Sequence, residues 1–294
     1  MMEIILEIIL KKYIWRNHDF MKNILLPTDF SENSKNAIRF AMSFFKGETC
    51  TFYIINSQKP SSYITADVLY GSPGSSIHDG ILNDNKMELE KMVRFCESIS
   101  EKENYSFIPK LDFDNIVAAV NQAVALNNIE LIIMGTNGAT DAAEVILGSN
   151  TLKIIRKADC PVIAVPQGYT FKKIESVLLS LNYQYIISEK SLSIISEIVT
   201  KHKASLKVLE IEEENIELTN KKNYTEEALK KIGFERFSIK NIPAAMAINV
   251  FEQLIPVQLH IMVVERKSFL DRFIFGSETS KISYGSPIPL LVLH

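Results

Sequence analysis

The sequence predicts an α/β fold of two tandem repeats, each an open parallel sheet covered by helices on both faces. Two observations predict it. Short, almost wholly apolar segments alternate with segments of helical periodicity, which is typical of parallel strands buried on both sides. The heptapeptide 148–154 returns at 276–282 with five of seven residues identical, and the same offset of 128 residues aligns the apolar segment 161–165 with 289–293.

The elements of the first repeat follow in order along the chain. Apolar runs predict five strands, at 23–27, 51–55, 105–111, 129–134 and 161–165. Helical spacing predicts a helix that is capped by Ser31 and closed by Gly47, and further helices over 86–103, 116–125 and 150–157. The intervening stretch 57–80, rich in Ser, Pro and Gly, is predicted to be a long loop.

The second repeat shows the same order of elements. Its predicted strands are 174–181, 205–211, 234–239, 258–264 and 289–293, and its predicted helices are 188–202 and 243–253. The acidic run that starts at Glu212 and the pair Lys221–Lys222 are predicted to form an exposed connection. We therefore expect one domain over 21–168 and a second over 171–294.

Residues 1–20 form an N-terminal extension of uncertain origin. Its apolar residues between Ile4 and Leu10 are interrupted by Glu7 and are too few to span a membrane. Basic residues follow the apolar stretch, which is the reverse of a secretory signal. Two interpretations stay open: an amphipathic extension that packs on the body, or a start upstream of the natural one, which would be Met21.

Composition excludes several classes of protein. Hydrophobic residues make up 47% and charged residues 23% of the chain, the balance of a globular protein with sizeable cores. With a net charge of −3, the chain is not expected to bind nucleic acid, and with no apolar run long enough to span a bilayer it is not expected to associate with a membrane. The three cysteines are far apart in the sequence, which favours a reducing, cytoplasmic location.

One glycine pattern carries the functional signal. Gly135 and Gly138 come directly after the fourth predicted strand, and Gly148–Ser149 open the next helix nine residues later. Open parallel sheets bind ligands at the carboxyl ends of their strands, and the first amides of a helix favour an anion. Ser149 and Thr151 can add hydroxyl donors, so the pattern suits a polyphosphate. The alternative is that these glycines are ordinary loop and helix-boundary residues that bind no ligand.

These segments resemble the universal stress protein family in its tandem two-domain form. The family's nucleotide motif is matched at Gly135, Gly138, Gly148 and Ser149, and segments 24–31 and 160–166 are similar to its first and last strands. The resemblance covers 21–168 well and 171–294 weakly. It implies two open five-stranded parallel sheets of the Rossmann-like, adenine nucleotide alpha hydrolase-like class, and it implies ATP, accompanied by Mg²⁺, as the ligand.

The resemblance also implies a role for individual residues. Asp29 and Ile54 would face the adenine, Met134 and Gly135 would lie by the ribose, and the phosphates would be held at the glycine pattern. The full set expected to bind the nucleotide is Pro27, Thr28, Asp29, Ile54, Met134, Gly135, Gly138, Gly148, Ser149, Asn150 and Thr151. Asp29 has an alternative role, because an Asp just before Ser31 can order a turn or cap a helix.

The second repeat departs from the nucleotide motif. Asn182 aligns with Asp29, and the bulky Glu265 and Arg266 stand where the glycines should be. Only Gly276–Ser277 remains of the pattern. We therefore expect no ATP in this repeat.

The function expected from the sequence is regulatory binding of ATP, with one competent site. No general base is evident, so an enzyme is the less favoured alternative: a slow ATPase or a nucleotidyl-transferring protein, with Asp29, His78 or Asp141 in plausible segments. The third alternative is a nucleotide-free structural protein. Strands 161–165 and 289–293 are expected to join the repeats as an intramolecular pseudo-dimer, and two chains could pair further as a homodimer.

Overall fold

The computed structural model of this chain describes residues 22–58, 77–136, 147–182, 187–212, 222–264 and 287–294. The strands in these ranges are β1 (Asn23–Pro27), β2 (Thr49–Ser57), β3 (Asn104–Asp112), β4 (Leu131–Gly135), β5 (Val162–Val165), β6 (Ser176–Asn182), β7 (Ser205–Glu212), β8 (Glu235–Lys240), β9 (Leu259–Val263) and β10 (Leu290–Leu293). The helices are α1 (Glu32–Phe44), α2 (Ile77–Ile99), α3 (Ile116–Asn127), α4 (Ser149–Lys157), α5 (Glu189–His202), α6 (Lys222–Ile232) and α7 (Ala244–Leu254). The extension 1–20, most of the predicted loop 57–80, Gly138 and Gly276–Ser277 lie outside the described residues.

All these strands belong to one sheet, in the order β3-β2-β1-β4-β5-β10-β9-β6-β7-β8. Each repeat contributes five neighbouring strands, and the strands within a repeat pair in parallel. This architecture confirms the predicted α/β fold of two tandem parallel-sheet repeats. In the first repeat the strand order reverses between β1 and β4, so the crevice that binds ligands in open α/β sheets is expected at the carboxyl ends of these two strands.

The two repeats meet at their last strands. β5 and β10 pair antiparallel, with Leu291 opposite Ile163 and Leu290 opposite Ala164. All four side chains are fully or almost fully buried. Neither strand is therefore an open sheet edge, and the backbone groups that an edge would expose to other chains are covered.

Helices cover both faces of this sheet. One core contains apolar residues of α1, α2, α5 and α6, and the other contains those of α3, α4 and α7. Two helices differ from the prediction. α2 begins at Ile77, within the predicted loop, instead of at 86, and it ends at Ile99 instead of 103, where the Ser100 hydroxyl donates to Cys96 O, at 2.7 Å. The helix α6, which begins at Lys222 and buries Leu229, was not predicted, and the predicted exposed connection before it lies mostly outside the described residues.

An aromatic cluster links the repeats on the α1 and α5 face. The rings of Phe44 and His202 lie 5.0 Å apart between centroids. The Lys201 ammonium lies 4.9 Å from the centroid of the Phe45 ring and 3.5 Å from the Glu48 carboxylate. His202 Nε2 is buried and has no hydrogen-bond partner among the described residues.

The partly buried His202 makes stability depend on pH. Burial, together with the charge of Lys201, lowers the pKa of His202 from 6.5 to about 4. Between these values the unfolded chain binds a proton that the folded protein does not, so this contribution is complete above about pH 6.5 and is lost as pH falls towards 4. In urea unfolding at pH 7 and pH 4.5, we expect wild type to lose roughly 1–2 kcal/mol more than His202→Phe, after discounting for partial exposure. Equal losses would contradict this.

No helix within the described parts of the chain is both long and apolar enough to span a membrane.

Candidate functional site

The carboxyl end of β1 continues into a tightly bonded turn. The Thr28 hydroxyl accepts a hydrogen bond from Phe30 N, at 3.0 Å, and lies 2.9 Å from Ser34 Oγ. Ser34 Oγ donates its hydrogen to Ser31 O, at 2.8 Å, so it is the Thr28 hydroxyl that donates to Ser34. Pro27 and Thr28 are buried. The turn is thereby fixed to the start of α1.

Asp29 is the exposed side chain of this turn. Its Oδ1 accepts hydrogen bonds from Ser31 N and Ser31 Oγ, at 3.1 and 2.6 Å. Ser31 in turn caps α1 by accepting from Ser34 N, at 3.2 Å, as the sequence predicts. Phe30 has a φ of 66°, a left-handed conformation that is rare for an aromatic residue and is found where surrounding bonds enforce it. The turn presents the Asp29 carboxylate to solvent in a fixed position.

Ile54 lies within β2, with its side chain fully buried in the core beneath α1 and opposite Leu26 of β1. Its expected place facing the adenine stays a prediction. β2 continues past Ile54, and the residue that joins the β1 turn is Asn56. Its buried amide donates to Thr28 O, at 2.7 Å, and its Oδ1 accepts from Gln58 Nε2, at 2.9 Å. The sequence alone missed Asn56, because polar residues at strand ends are common.

Strand β4 ends below the first turn of α1. Met134 is almost fully buried, and Gly135 is partly exposed at the end of the strand. A Cβ atom placed on Gly135 would lie 2.5 Å from Nδ2 and 2.8 Å from Cγ of Asn33, a buried residue of α1. The absence of a side chain at Gly135 therefore lets α1 approach β4, a role that the sequence did not indicate.

A side chain at Gly135 should be destabilising for this reason. We expect Gly135→Ala to lower the free energy of unfolding by about 1–3 kcal/mol, because Asn33 has to move within a packed region. Urea unfolding of Gly135→Ala, Asn33→Ala and the double variant measures the coupling. The double variant should be more stable than the sum of the single effects predicts, whereas strict additivity would show that the two residues do not touch.

Helix α4 begins directly against the end of β4. The Thr151 hydroxyl is buried and lies 2.9 Å from Gly135 O and 3.2 Å from Thr136 O, both of which can accept its hydrogen. Gly148 N also donates to Thr136 O. Thr151 was expected to offer its hydroxyl to a phosphate, but the structure uses this hydroxyl to hold the helix in place.

The first turn of α4 carries unused donors. The first amide to donate within the helix is Leu152 N, which bonds to Gly148 O at 2.9 Å. The amides of Ser149, Asn150 and Thr151 have no acceptor in the described ranges, and the first two side chains are exposed. No acidic residue stands in this turn. Free amides and the positive end of the helix dipole together favour an anion at this position.

Thr136 lies between the two helix starts and was missed by the sequence prediction. It is buried, and its Oγ1 has no hydrogen-bond partner in the part of the chain that the structure describes. The Thr136 amide donates to Val165 O, at 2.9 Å, which continues the β4–β5 pairing beyond β4. The one feature of the sequence that could have placed Thr136 in the site was its position between Gly135 and Gly138 of the motif.

The structure therefore brings most of the predicted residues to one place. Pro27 ends β1 and Thr28 and Asp29 follow it, Met134 and Gly135 end β4, and the 148–151 segment starts α4. The described residues contain no group of three or more His, Cys, Asp or Glu side chains that could hold a metal ion. Residues 265–286 lie outside the described ranges, so the absence of ATP from the second repeat stays a prediction.

Comparison with known proteins assigns this architecture to a family. A model of the universal stress protein family matches residues 21–166. The chain belongs to the universal stress protein family. Two curated members from Methanocaldococcus jannaschii are similar to it: universal stress protein MJ0577 is 25% identical over 156 residues, and MJ0531 is 26% identical over 161 residues. The matches cover 49% and 53% of this chain, and 94% and 89% of those proteins.

A solved universal stress protein shares the full two-repeat fold. The crystal structure of a universal stress protein from Archaeoglobus fulgidus superposes with a TM-score of 0.62 at 19% identity. The alignment covers 92% of this chain and 95% of that chain. At this level of identity the match concerns the fold, which therefore extends over both repeats of this universal stress protein.

Proposed function

We propose that this universal stress protein binds ATP at the switch point of its first repeat and acts as a regulator through that binding. The observation that carries the proposal is the start of α4, where the amides of Ser149, Asn150 and Thr151 have no acceptor among the described residues. Gly148 before them has no side chain to cap the helix. An anionic ligand completes such a helix end, and a triphosphate is the anion that the family resemblance implies.

The other parts of the site fit the rest of a nucleotide. The main chain at Met134 and Gly135 can contact the ribose, since β4 ends there with little side chain in the way. The exposed Asp29 carboxylate can accept hydrogen bonds from the amino or hydroxyl groups of the nucleoside. Mg²⁺ would accompany the phosphates, because this cation is usually held by phosphate oxygens and one or two carboxylates rather than by a protein cage.

Binding to the folded state would stabilise the first repeat by an amount that grows with the logarithm of the ATP concentration above Kd, which is the physical basis of a regulatory role. The second repeat would act as a built-in partner. We infer an intramolecular pseudo-dimer, supported by the antiparallel pairing of β5 with β10 and by the aromatic cluster around Phe44 and His202. A homodimer of whole chains is a further proposal, which size-exclusion chromatography with light scattering tests directly.

Titration calorimetry with MgATP tests the site. Gly138→Val places a β-branched side chain in the glycine pattern and should weaken binding at least about tenfold, while the far-ultraviolet circular dichroism stays unchanged. Gly276→Val is the matched control in the second repeat and should leave the affinity within about twofold. Unchanged affinity in Gly138→Val, or a large loss in Gly276→Val, would contradict the assignment.

Long incubation with MgATP separates regulation from catalysis. A binding protein returns the ATP intact. Steady release of ADP that Asp29→Asn abolishes would support the slow ATPase instead. Failure to bind any of ATP, ADP and AMP would support a structural protein that works without nucleotide.

A further inference from the structure

Three polar side chains form a chain of contacts inside the second repeat. Ser180 of β6 lies 2.7 Å from His260 of β9, between Oγ and Nε2. The other ring nitrogen of His260, Nδ1, lies 3.2 Å from Oε1 of Glu252 on α7. The histidine side chain is fully buried and that of Glu252 is 4% exposed. Ser180 is buried as well.

The surroundings of this chain are apolar. The residues that share the sheet face with His260 on β9 itself and on the neighbouring strands are Leu178, Met262, Leu290 and Val292, all in the same buried core. α7 packs Ile248 and Phe251 into that core. Burial of all three polar side chains excludes a substrate, so the Ser–His–Glu order does not make a hydrolase site here.

Other charged groups near this face have partners of their own. Lys207 of β7 lies in register with Leu178, one strand further from His260. Its ammonium bonds to Glu235, at 3.1 Å, and lies 5.9 Å from the centroid of the Phe237 ring. Neither oxygen of Glu252 has a hydrogen-bond partner within the described ranges, so the 3.2 Å approach of His260 Nδ1 is the polar contact on which this carboxylate depends there.

The first repeat places apolar residues at the equivalent positions. The offset of 128 that relates the repeats aligns His260 with Ile132 and Glu252 with Val124. It also places the buried Ala119, Val120 and Ala123 of α3 on the buried Ala247, Ile248 and Phe251 of α7. Strand register aligns Ser180 with Pro27, since Leu25 pairs with Ile132 as Leu178 pairs with His260. The polar chain thus belongs to the second repeat alone.

We propose that Glu252, His260 and Ser180 form a buried polar lock, which fixes α7 over β6 and β9 and makes this docking specific to the second repeat. In the lock, Nε2 of His260 accepts from the Ser180 hydroxyl, which places the ring proton on Nδ1, the nitrogen that faces Glu252. Helix α3 cannot replace α7 on these strands, because Val124 would leave His260 without its carboxylate. Such exclusive pairing is useful in a chain whose repeats offer similar surfaces.

Hydrogen exchange of the full chain tests the lock. Glu252→Val and His260→Ile each remove one partner and leave the other buried alone, so the slowest amides of α7 and β9 should exchange roughly 100-fold faster or more. The triple variant Ser180→Ala/Glu252→Val/His260→Ile substitutes an apolar set like that of the first repeat and should recover most of the protection. Protection unaffected by the single changes, or lost equally in the triple variant, would overturn the lock.

Two further readouts address the tautomer and the specificity. Long-range ¹⁵N–¹H correlation spectra at neutral pH should show His260 protonated on Nδ1, and protonation on Nε2 instead would contradict the proposed bonding.

After complete denaturation, the triple variant should regain native protein in at most about half the yield of wild type, since its repeats no longer discriminate between α3 and α7. Equal refolding yields would overturn the specificity.

Discussion

Ser149→Pro should weaken ATP binding about 10- to 100-fold while leaving the fold intact. Ser149 is the first residue of α4, a position where proline is well tolerated because its missing N–H has no partner within the helix. The preceding Gly148 has φ −58° and ψ 154°, which suits a residue before proline. The substitution thus removes one of the three proposed phosphate donors, and a hydrogen bond to a charged group contributes about 1.5–3 kcal/mol.

Two variants show whether the amide is the group that matters. Ser149→Ala removes only the hydroxyl and should weaken binding less than Ser149→Pro does. Ser277→Pro makes the corresponding change in the second repeat and should have no effect on affinity. If calorimetry finds Ser149→Pro as tight as wild type, the phosphates do not lie at the start of α4.

The double variant Ile163→Cys/Leu291→Cys should form a disulfide between the repeats. The two residues face each other across β5 and β10. Val165 O accepts from Thr136 N, and Leu293 O accepts from Val264 N. The backbone groups of Val165 and Leu293, and of every second residue before them, therefore point away from the β5–β10 pairing. Ile163 and Leu291 are therefore a non-hydrogen-bonded pair, with Cα atoms about 4.5 Å apart, a separation that a disulfide can span.

Oxidation should give nearly complete cross-linking, visible as faster migration in non-reducing electrophoresis. The bond closes a loop of more than a hundred residues and should raise the free energy of unfolding by up to about 4–5 kcal/mol, less any strain. Burial raises the pKa of Cys50, Cys96 and Cys160 to about 12, so the native thiols should not compete. Ile163→Cys/Leu293→Cys is the control, out of register and too far apart to bridge. No cross-link in Ile163→Cys/Leu291→Cys would show that the strands do not pair as described.

Much of the fold could be predicted because its signals are local. The strands of the parallel sheet are short apolar runs, and caps such as Ser31 and Ser188 mark helix starts directly. α6 escaped prediction because it is polar over most of its length and only a few residues, such as Leu229, face the core. The pairing of β5 with β10 was expected only from the need to cover two apolar edges.

The site was predicted in position but not in detail. The motif placed Gly135 and Gly148 correctly at the end of a strand and the start of a helix. The sequence could not show that Asn33 fills the space above Gly135, or that the Thr151 hydroxyl turns inward, because both depend on how α1 and α4 approach β4. Asn56 was missed for a similar reason, since only the register of β2 shows that the strand continues past Ile54 to Ser57.

A crystal structure with MgATP, or with a non-hydrolysable analogue, shows whether the first repeat binds the nucleotide at the start of α4. We expect electron density for one nucleotide in the first repeat, with phosphate oxygens within hydrogen-bond distance of the Ser149 and Asn150 amides and the nucleoside near Asp29. Density in the second repeat alone, or a first repeat that stays empty at saturating nucleotide, would contradict it.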